Sequence, residues 1–256
     1  MDILQRFRID GRVALVTGGS RGLGRVMAEA LASAGAAVVL TARDEALAAG
    51  VAAEVGASTG SKVLGVAADV TRQADVSAML AKTLDAFGRL DILVNNAGIN
   101  IRGPIEQLSE DDWDRVIDTN LKGPWLCCRA AGEPMRRQKW GRVVNVSSML
   151  GAISLPGRSP YAASKGGLTL LTRTLALEWA GDGVNVNALC PGPFATEINT
   201  PLLNDPEASA AMRTKVPLGR WGDPNELGPA VVFLASEASS FMTGATLFID
   251  GGYTAQ

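Results

Sequence analysis

The chain has 256 residues, 47% of them hydrophobic and 20% charged, with a net charge of −2 and no histidine. The length suits one doubly wound α/β domain, and the lack of histidine excludes His-based triads, histidine general bases and the usual zinc sites. Near-neutral charge without a long basic block argues against nucleic acid or an anionic membrane as partner, and no apolar run approaches the ~18 residues needed to span a bilayer.

In chain order, residues 1–6 carry no signal-peptide apolar region, so a cytoplasmic protein is expected. Residues 12–17 read as the first strand and 22–34 as an amphipathic helix. A strand at 37–40, a helix at 44–55, a strand at 62–66, a helix at 73–87 and a strand at 90–94 follow. Ser109 opens the next helix, with Asp112 completing a capping box. The adjacent Cys127 and Cys128, with Cys190, give no disulfide framework and read as small buried hydrophobes. The fifth strand is expected at 142–146, a helix at 161–180 and the sixth strand at 184–188. Asp223 caps a further helix, with Pro224 at its first position and Glu226 at its third. The seventh strand covers 245–249. Apolar strands alternating with helices predict one Rossmann-like parallel sheet of about seven strands, with helices on both faces, over residues 1–256. Residues 99–108 and 194–216 are the least regular. The second stretch is long for a structureless loop and is expected to be partly helical and functional.

Thr17-Gly18-Gly19-Ser20-Arg21-Gly22-Leu23-Gly24 follows the first strand and opens a helix. Gly18, Gly22 and Gly24 allow a tight turn and close backbone approach, and the helix N-terminus offers N–H groups to a pyrophosphate. A dinucleotide site is therefore expected here, with G-x-x-x-G-x-G spacing rather than the ordinary G-x-G-x-x-G. After the second strand the chain reads Leu40-Thr41-Ala42-Arg43. No acid stands there to accept from a ribose 2′-OH. Arg43, with Arg21 from the glycine loop, is placed for a 2′-phosphate, so NADP is expected rather than NAD. Asp44 reads as the next N-cap.

Tyr161 and Lys165 lie one helical turn apart on one face. A nearby ammonium favours tyrosinate, so the pair can exchange a proton with a hydroxyl or carbonyl oxygen. Ser147-Ser148 ends the fifth strand, at the edge where such sheets bind ligands.

With these residues in view the chain resembles the short-chain dehydrogenase/reductases over nearly its whole length. The matching positions are Thr17 to Gly24, Asp69 with Val70, Asn95-Asn96-Ala97-Gly98, Asn120, Ser148, Tyr161, Lys165, and Pro191-Gly192 with Thr196. Ser148 is preferred to Ser147 because it stands thirteen positions before Tyr161, the family's spacing. The resemblance implies hydride transfer with a nicotinamide cofactor and an Asn-Ser-Tyr-Lys tetrad. In that tetrad Tyr161 is the general acid/base, and Lys165 lowers its pKa and holds the nicotinamide ribose. Ser148 polarises the carbonyl, and Asn120 holds a water linking Lys165 to solvent. The loop residues Gly18 to Gly24 other than Gly19 would contact cofactor, as would Asp69, Val70, Asn96, Ala97, Gly98, Pro191, Gly192 and Thr196.

Within the family the resemblance is to the gluconate 5-dehydrogenases, carried by Asn95 to Arg102, Pro193 to Glu197 and Gly219 to Pro224. Arg102 and Arg158 are expected to border the pocket and bind a sugar-acid carboxylate, with Ser148, Pro193 and Phe194 also facing substrate. The resemblance further implies a homotetramer, for which apolar stripes at 113–135 and 168–179 and Phe248-Ile249 supply surfaces. The alternatives are a 3-oxoacyl-acyl-carrier-protein reductase, for which Arg136-Arg137-Gln138-Lys139 is the candidate docking patch, and a non-catalytic dinucleotide sensor.

Overall fold

Seven parallel strands form one sheet in the order β3-β2-β1-β4-β5-β6-β7, in a computed structural model that describes residues 2–255. The strands are β1 (Val13–Val16), β2 (Ala37–Ala42), β3 (Val63–Ala67), β4 (Ile92–Asn95), β5 (Gly141–Val146), β6 (Val184–Pro191) and β7 (Thr246–Ile249). Successive residues of a strand face opposite sides, and here helices cover both sides, so most strand positions are apolar. On one side Val16, Val38 and Leu40 meet Met27 and Leu31 of α1 (Gly22–Ser33), Val51 and Val55 of α2 (Glu45–Thr59), and Val231 and Leu234 near the C-terminus. On the other, Leu15, Val39, Leu93 and Val143 meet Met79 of α3 (Gln73–Phe87) and residues of the two long helices before and after β5.

The element starts follow the local chemistry. Asp44 caps α2 by accepting from Leu47 N at 2.9 Å. Ser109 and Asp112 close a capping box on α4 (Glu110–Ile117), and Asp223 and Glu226 close another. The second box opens a 3₁₀ turn that passes into α9 (Gly228–Ala235), not an α-helix from its first residue. The expected helix after Ser109 is interrupted. A π-helical turn, Asp118–Lys122, separates α4 from α5 (Gly123–Arg137). β6 runs three residues past the expected end because Leu189, Cys190 and Pro191 pair with Leu247, Phe248 and Ile249 of β7. The helix after β5, α6, spans Ser159–Trp179. Residues 194–216 hold two helices, α7 (Thr200–Leu203) and α8 (Pro206–Thr214). Among the described residues no helix is long and apolar enough to cross a membrane. The strand order reverses at β1, where β2 lies on one side and β4 on the other, and that reversal opens a crevice at the carboxyl edge of the sheet.

Candidate active site

The crevice is stitched by Thr17 and Asn96. The Thr17 hydroxyl accepts from the backbone N–H of Asn96 at 3.0 Å and of Ala97 at 3.1 Å. The Asn96 amide donates to the carbonyls of Thr17 and Gly18, both at 3.0 Å. Asn96 thus shapes the glycine loop and spends its side chain there. Gly24 must lack a side chain, because a Cβ would sit 2.2 Å from Gly18 O and 2.3 Å from Asn96 Nδ2. Arg21 stands at the N-cap of α1 without a side-chain cap bond, so the first-turn amides beside Ser20, Gly22 and Leu23 are left for an outside acceptor. Together, a close-packed glycine turn and an uncapped helix start fit a dinucleotide pyrophosphate.

The other expected cofactor residues reach the same edge. One carboxylate oxygen of Asp69 accepts from the N–H and the hydroxyl of Thr71, at 2.9 and 2.8 Å, and Val70 is buried beside Gly123. A Cβ on Gly98 would stand 3.7 Å from Lys165 Nζ and 3.3 Å from Asn120 Oδ1, so this glycine lies directly before α6. Pro191 ends β6, Gly192 N donates to Ile249 O at 2.9 Å, and Thr196 begins the segment crossing the crevice. Arg43 follows β2 and is exposed, with no carboxylate partner among the described residues. Arg21 is exposed as well, and Glu197 of the crossing segment stands 4.0 Å from its guanidinium.

The four side chains expected as a tetrad lie close together. Lys165, 4% exposed, donates from Nζ to Val146 O at 2.7 Å, and Nζ lies 5.7 Å from the centre of the Tyr161 ring. Burial pushes Lys165 down to about 8. Burial also raises Tyr161, against smaller lowering effects of Ser148 and then Arg102 and Arg158. The net direction departs from the expected lowering: desolvation of the phenol outweighs the cations around it, while the Lys165 ammonium sits over the ring and bonds to Val146 O. Ser147 donates to Lys165 O at 2.9 Å and so joins β5 to α6, whereas Ser148 faces Tyr161. Asn120 is fully buried in the π turn. Its Oδ1 accepts from Ile99 N at 2.8 Å, and its Nδ2 donates to Ile99 O and to Ser164 Oγ at 2.8 and 3.2 Å. The Asn120 side chain thus ties the loop after β4 to α6.

The mouth of the site has two unlike walls. Met149 and Leu150 after β5, Met212 and Val216 near α8, and Tyr253 form an apolar cluster against Tyr161. None of these five was marked by motif or spacing, because they meet only in the folded chain. The opposite wall is cationic. Gly103 N donates to Gly157 O at 3.2 Å, and this strut between two loops brings the neighbouring Arg102 and Arg158 together. Arg158 is lowered by burial and then by Arg102, which places the two guanidinium groups within mutual reach. Neither has a carboxylate partner among the described residues. Phe194 departs from expectation. Its ring turns into the core against Gly222 instead of facing substrate, and Pro193 is buried beside it. The thiols of Cys127, Cys128 and Cys190 are buried and raised, Cys128 to about 12, so they act as packing.

The family model described as enoyl-(acyl carrier protein) reductase matches residues 18–254. A 2-dehydro-3-deoxy-D-gluconate 5-dehydrogenase of Pseudoalteromonas atlantica is 39% identical over 98% of this chain and 99% of its own. A 3-oxoacyl-[acyl-carrier-protein] reductase of Vibrio harveyi is 40% identical over 95% of this chain and 98% of its own. Among solved structures, a gluconate 5-dehydrogenase from Burkholderia cenocepacia in complex with NADP and tartrate superposes with a TM-score of 0.96 at 40% identity, covering 99% of both chains.

Proposed function

The chain belongs to the short-chain dehydrogenase/reductase family, and from that premise we propose that it interconverts a sugar-acid alcohol and its ketone, gluconate and 5-ketogluconate, with NADP as carrier. It is an oxidoreductase acting on a CH–OH group. The observation that carries the sugar-acid reading is the pair Arg102 and Arg158, two guanidinium groups beside Tyr161 with no carboxylate of the described protein to neutralise them. Each offers a planar fork suited to a carboxylate. Relatives named for gluconate substrates support the same choice.

In the proposed reaction Ser148 donates a hydrogen bond to the substrate oxygen and holds it against Tyr161. The raised pKa keeps Tyr161 protonated at neutral pH, ready to give its proton to the ketone oxygen as reduction proceeds. In oxidation Tyr161 receives that proton, and the positive charges of Lys165, Arg102 and Arg158 stabilise the tyrosinate needed first. Asn120 fixes Ile99 against Ser164 and so holds the loop after β4 against the catalytic helix. The amides after Gly18, with Gly98, Gly192 and Thr196, would hold the dinucleotide, and Lys165 its ribose. Bound there, the nicotinamide supplies or accepts the hydride. Arg43, with no acid at Ala42, supports NADP over NAD through a charge-assisted contact to the 2′-phosphate. We further propose a homotetramer in the cytoplasm, a reducing setting that suits three free cysteines.

The carrier-protein reading requires a free basic patch. Arg136 and Lys139 are instead bonded to Asp182, at 2.6 and 2.5 Å, and Arg137 lies 3.6 Å from Glu133. The deciding measurement is kcat/KM for 5-ketogluconate beside an acetoacetyl thioester, with NADPH and with NADH, in wild type, Arg102→Ala and Arg158→Ala. The sugar acid is expected to be the better substrate, and each arginine loss to reduce its kcat/KM about tenfold or more, as for one charged hydrogen bond. A thioester reduced faster, with neither arginine mattering for the acid, overturns the assignment. Equal kcat/KM for the two cofactors overturns the NADP preference.

A further inference from the structure

Arg102 has one hydrogen-bonded side-chain partner among the described residues, and that partner is neutral. Its Nη2 donates to Asn199 Oδ1 at 3.3 Å, while Asn199 Nδ2 donates to Phe194 O at 3.0 Å. Asn199 closes the 3₁₀ turn Glu197–Asn199 that crosses the crevice after β6, and its own N–H bonds back to Thr196 O at 2.8 Å. One short amide therefore ties the loop after β6 to the loop after β4, with Arg102 at the junction. Most other arginines of the described chain bridge a carboxylate, among them Arg8, Arg12, Arg25, Arg89, Arg142 and Arg220.

We propose that Asn199 is a positioning residue for substrate charge: it aims Arg102 into the pocket without neutralising it, and so sets the preference for an anionic over an uncharged ketone. The inference rests on the carboxylate reading of Arg102 given above. An amide suits the task because it donates to a carbonyl and accepts from a cation through one side chain. A carboxylate here would repel Phe194 O and consume the charge of Arg102. An alanine would leave Phe194 O without its donor and let the long arginine side chain wander.

The test compares 5-ketogluconate with an uncharged ketose of the same carbon number in wild type, Asn199→Ala, Asn199→Asp, Arg102→Ala and the double variant Arg102→Ala/Asn199→Asp. NADPH binding and Tm are recorded for each. Asn199→Asp is expected to raise KM for the acid about tenfold or more, by occupying the guanidinium. Asn199→Ala raises it less, and the ketose changes far less in both. In the double variant the added aspartate has little further effect on the acid, since the charge it would neutralise is gone. Equal changes for acid and ketose in both Asn199 variants overturn the inference and leave Asn199 a loop residue. If Arg102→Ala lowers the acid-to-ketose preference while Asn199→Asp does not, the positioning inference fails alone. If Arg102→Ala leaves that preference as in wild type, the carboxylate reading fails, and the inference with it.

Discussion

Lys165 occupies an expensive position for a cation. It is nearly dry, its one hydrogen-bond acceptor among the described residues is the neutral Val146 carbonyl, and burial moves it from an ordinary lysine value down to about 8. This has a consequence for stability that can be separated from catalysis. Below pH 8 both folded and unfolded chains carry the proton, and the folded chain bears the full penalty of a buried charge. Between about 8 and the ordinary lysine value of about 10.4 the unfolded chain binds the extra proton, so stability rises with pH. Lys165→Met leaves an unbranched side chain one atom shorter and removes the titration. The difference in unfolding free energy, variant minus wild type, is therefore expected to be positive at pH 7 and to shrink by on the order of 1–3 kcal/mol by pH 10. Denaturant titrations at a series of pH values read it directly. A difference independent of pH would show that the lysine carries no buried-charge penalty. The same variant should lose turnover, because Tyr161, raised by its own burial, would lose a cation that supports its ionised form.

At the scale of elements, the glycine loop shows which parts of the site were legible in the sequence. The spacing of Gly18, Gly22 and Gly24 after an apolar strand pointed to the loop, and the two capping boxes marked helix starts that the structure contains. These are local signals, set by residues within a few positions of one another. The π turn at Asp118–Lys122 left no such mark, since shifting a helix by one hydrogen bond changes neither composition nor caps. Arg102 and Arg158 were marked as neighbours of the pocket, but their convergence depends on the backbone bond from Gly103 to Gly157. The motif from Pro193 to Glu197 does not say which side of its turn faces the core, and Phe194 turns into it. The two loop glycines also differ in kind. Gly22 has φ +52° and open space where a Cβ would stand, whereas at Gly24 a Cβ would strike Gly18 O. Gly22→Ala is expected to cost about 1 kcal/mol of backbone strain and to keep a measurable NADPH affinity. Gly24→Ala must displace the loop itself, so it should lose both NADPH binding and a larger part of the stability. Fluorescence titration with NADPH and denaturant unfolding of the two variants decide the matter, and equal losses would contradict this ordering.

At the scale of the whole molecule the two edges of the sheet differ in how their charges are partnered. At the amino edge they are paired. Asp91 accepts from Val13 N at 2.9 Å and from Arg12 and Arg89 at 3.2 and 2.7 Å, Arg142 bonds to Glu237 at 3.2 Å, and Trp140 lies between Arg12 and Arg142. At the carboxyl edge Arg43, Arg102 and Arg158 have no such partners among the described residues, which is what the proposed anionic cofactor and substrate would require. The flanks carry a third kind of surface. On α6, Leu170 and Leu177 are 61% and 85% exposed and stand two turns apart on one face, and Trp125 of the neighbouring α5 is 44% exposed. All four residues of the edge strand β7 are likewise only partly covered. Large apolar side chains in this arrangement gain about 1.5–3 kcal/mol each when fully buried, and two separate faces per chain allow a tetramer of paired dimers. Light scattering at micromolar concentration is therefore expected to give four times the chain mass. Leu177→Glu should leave the chain folded, because this side chain is mostly outside its own core, while placing like charges across a symmetric contact. The mass should fall to that of a dimer joined through the other face. A monomeric wild type would remove the assembly proposal altogether, and an unchanged mass in Leu177→Glu would move the contact away from α6.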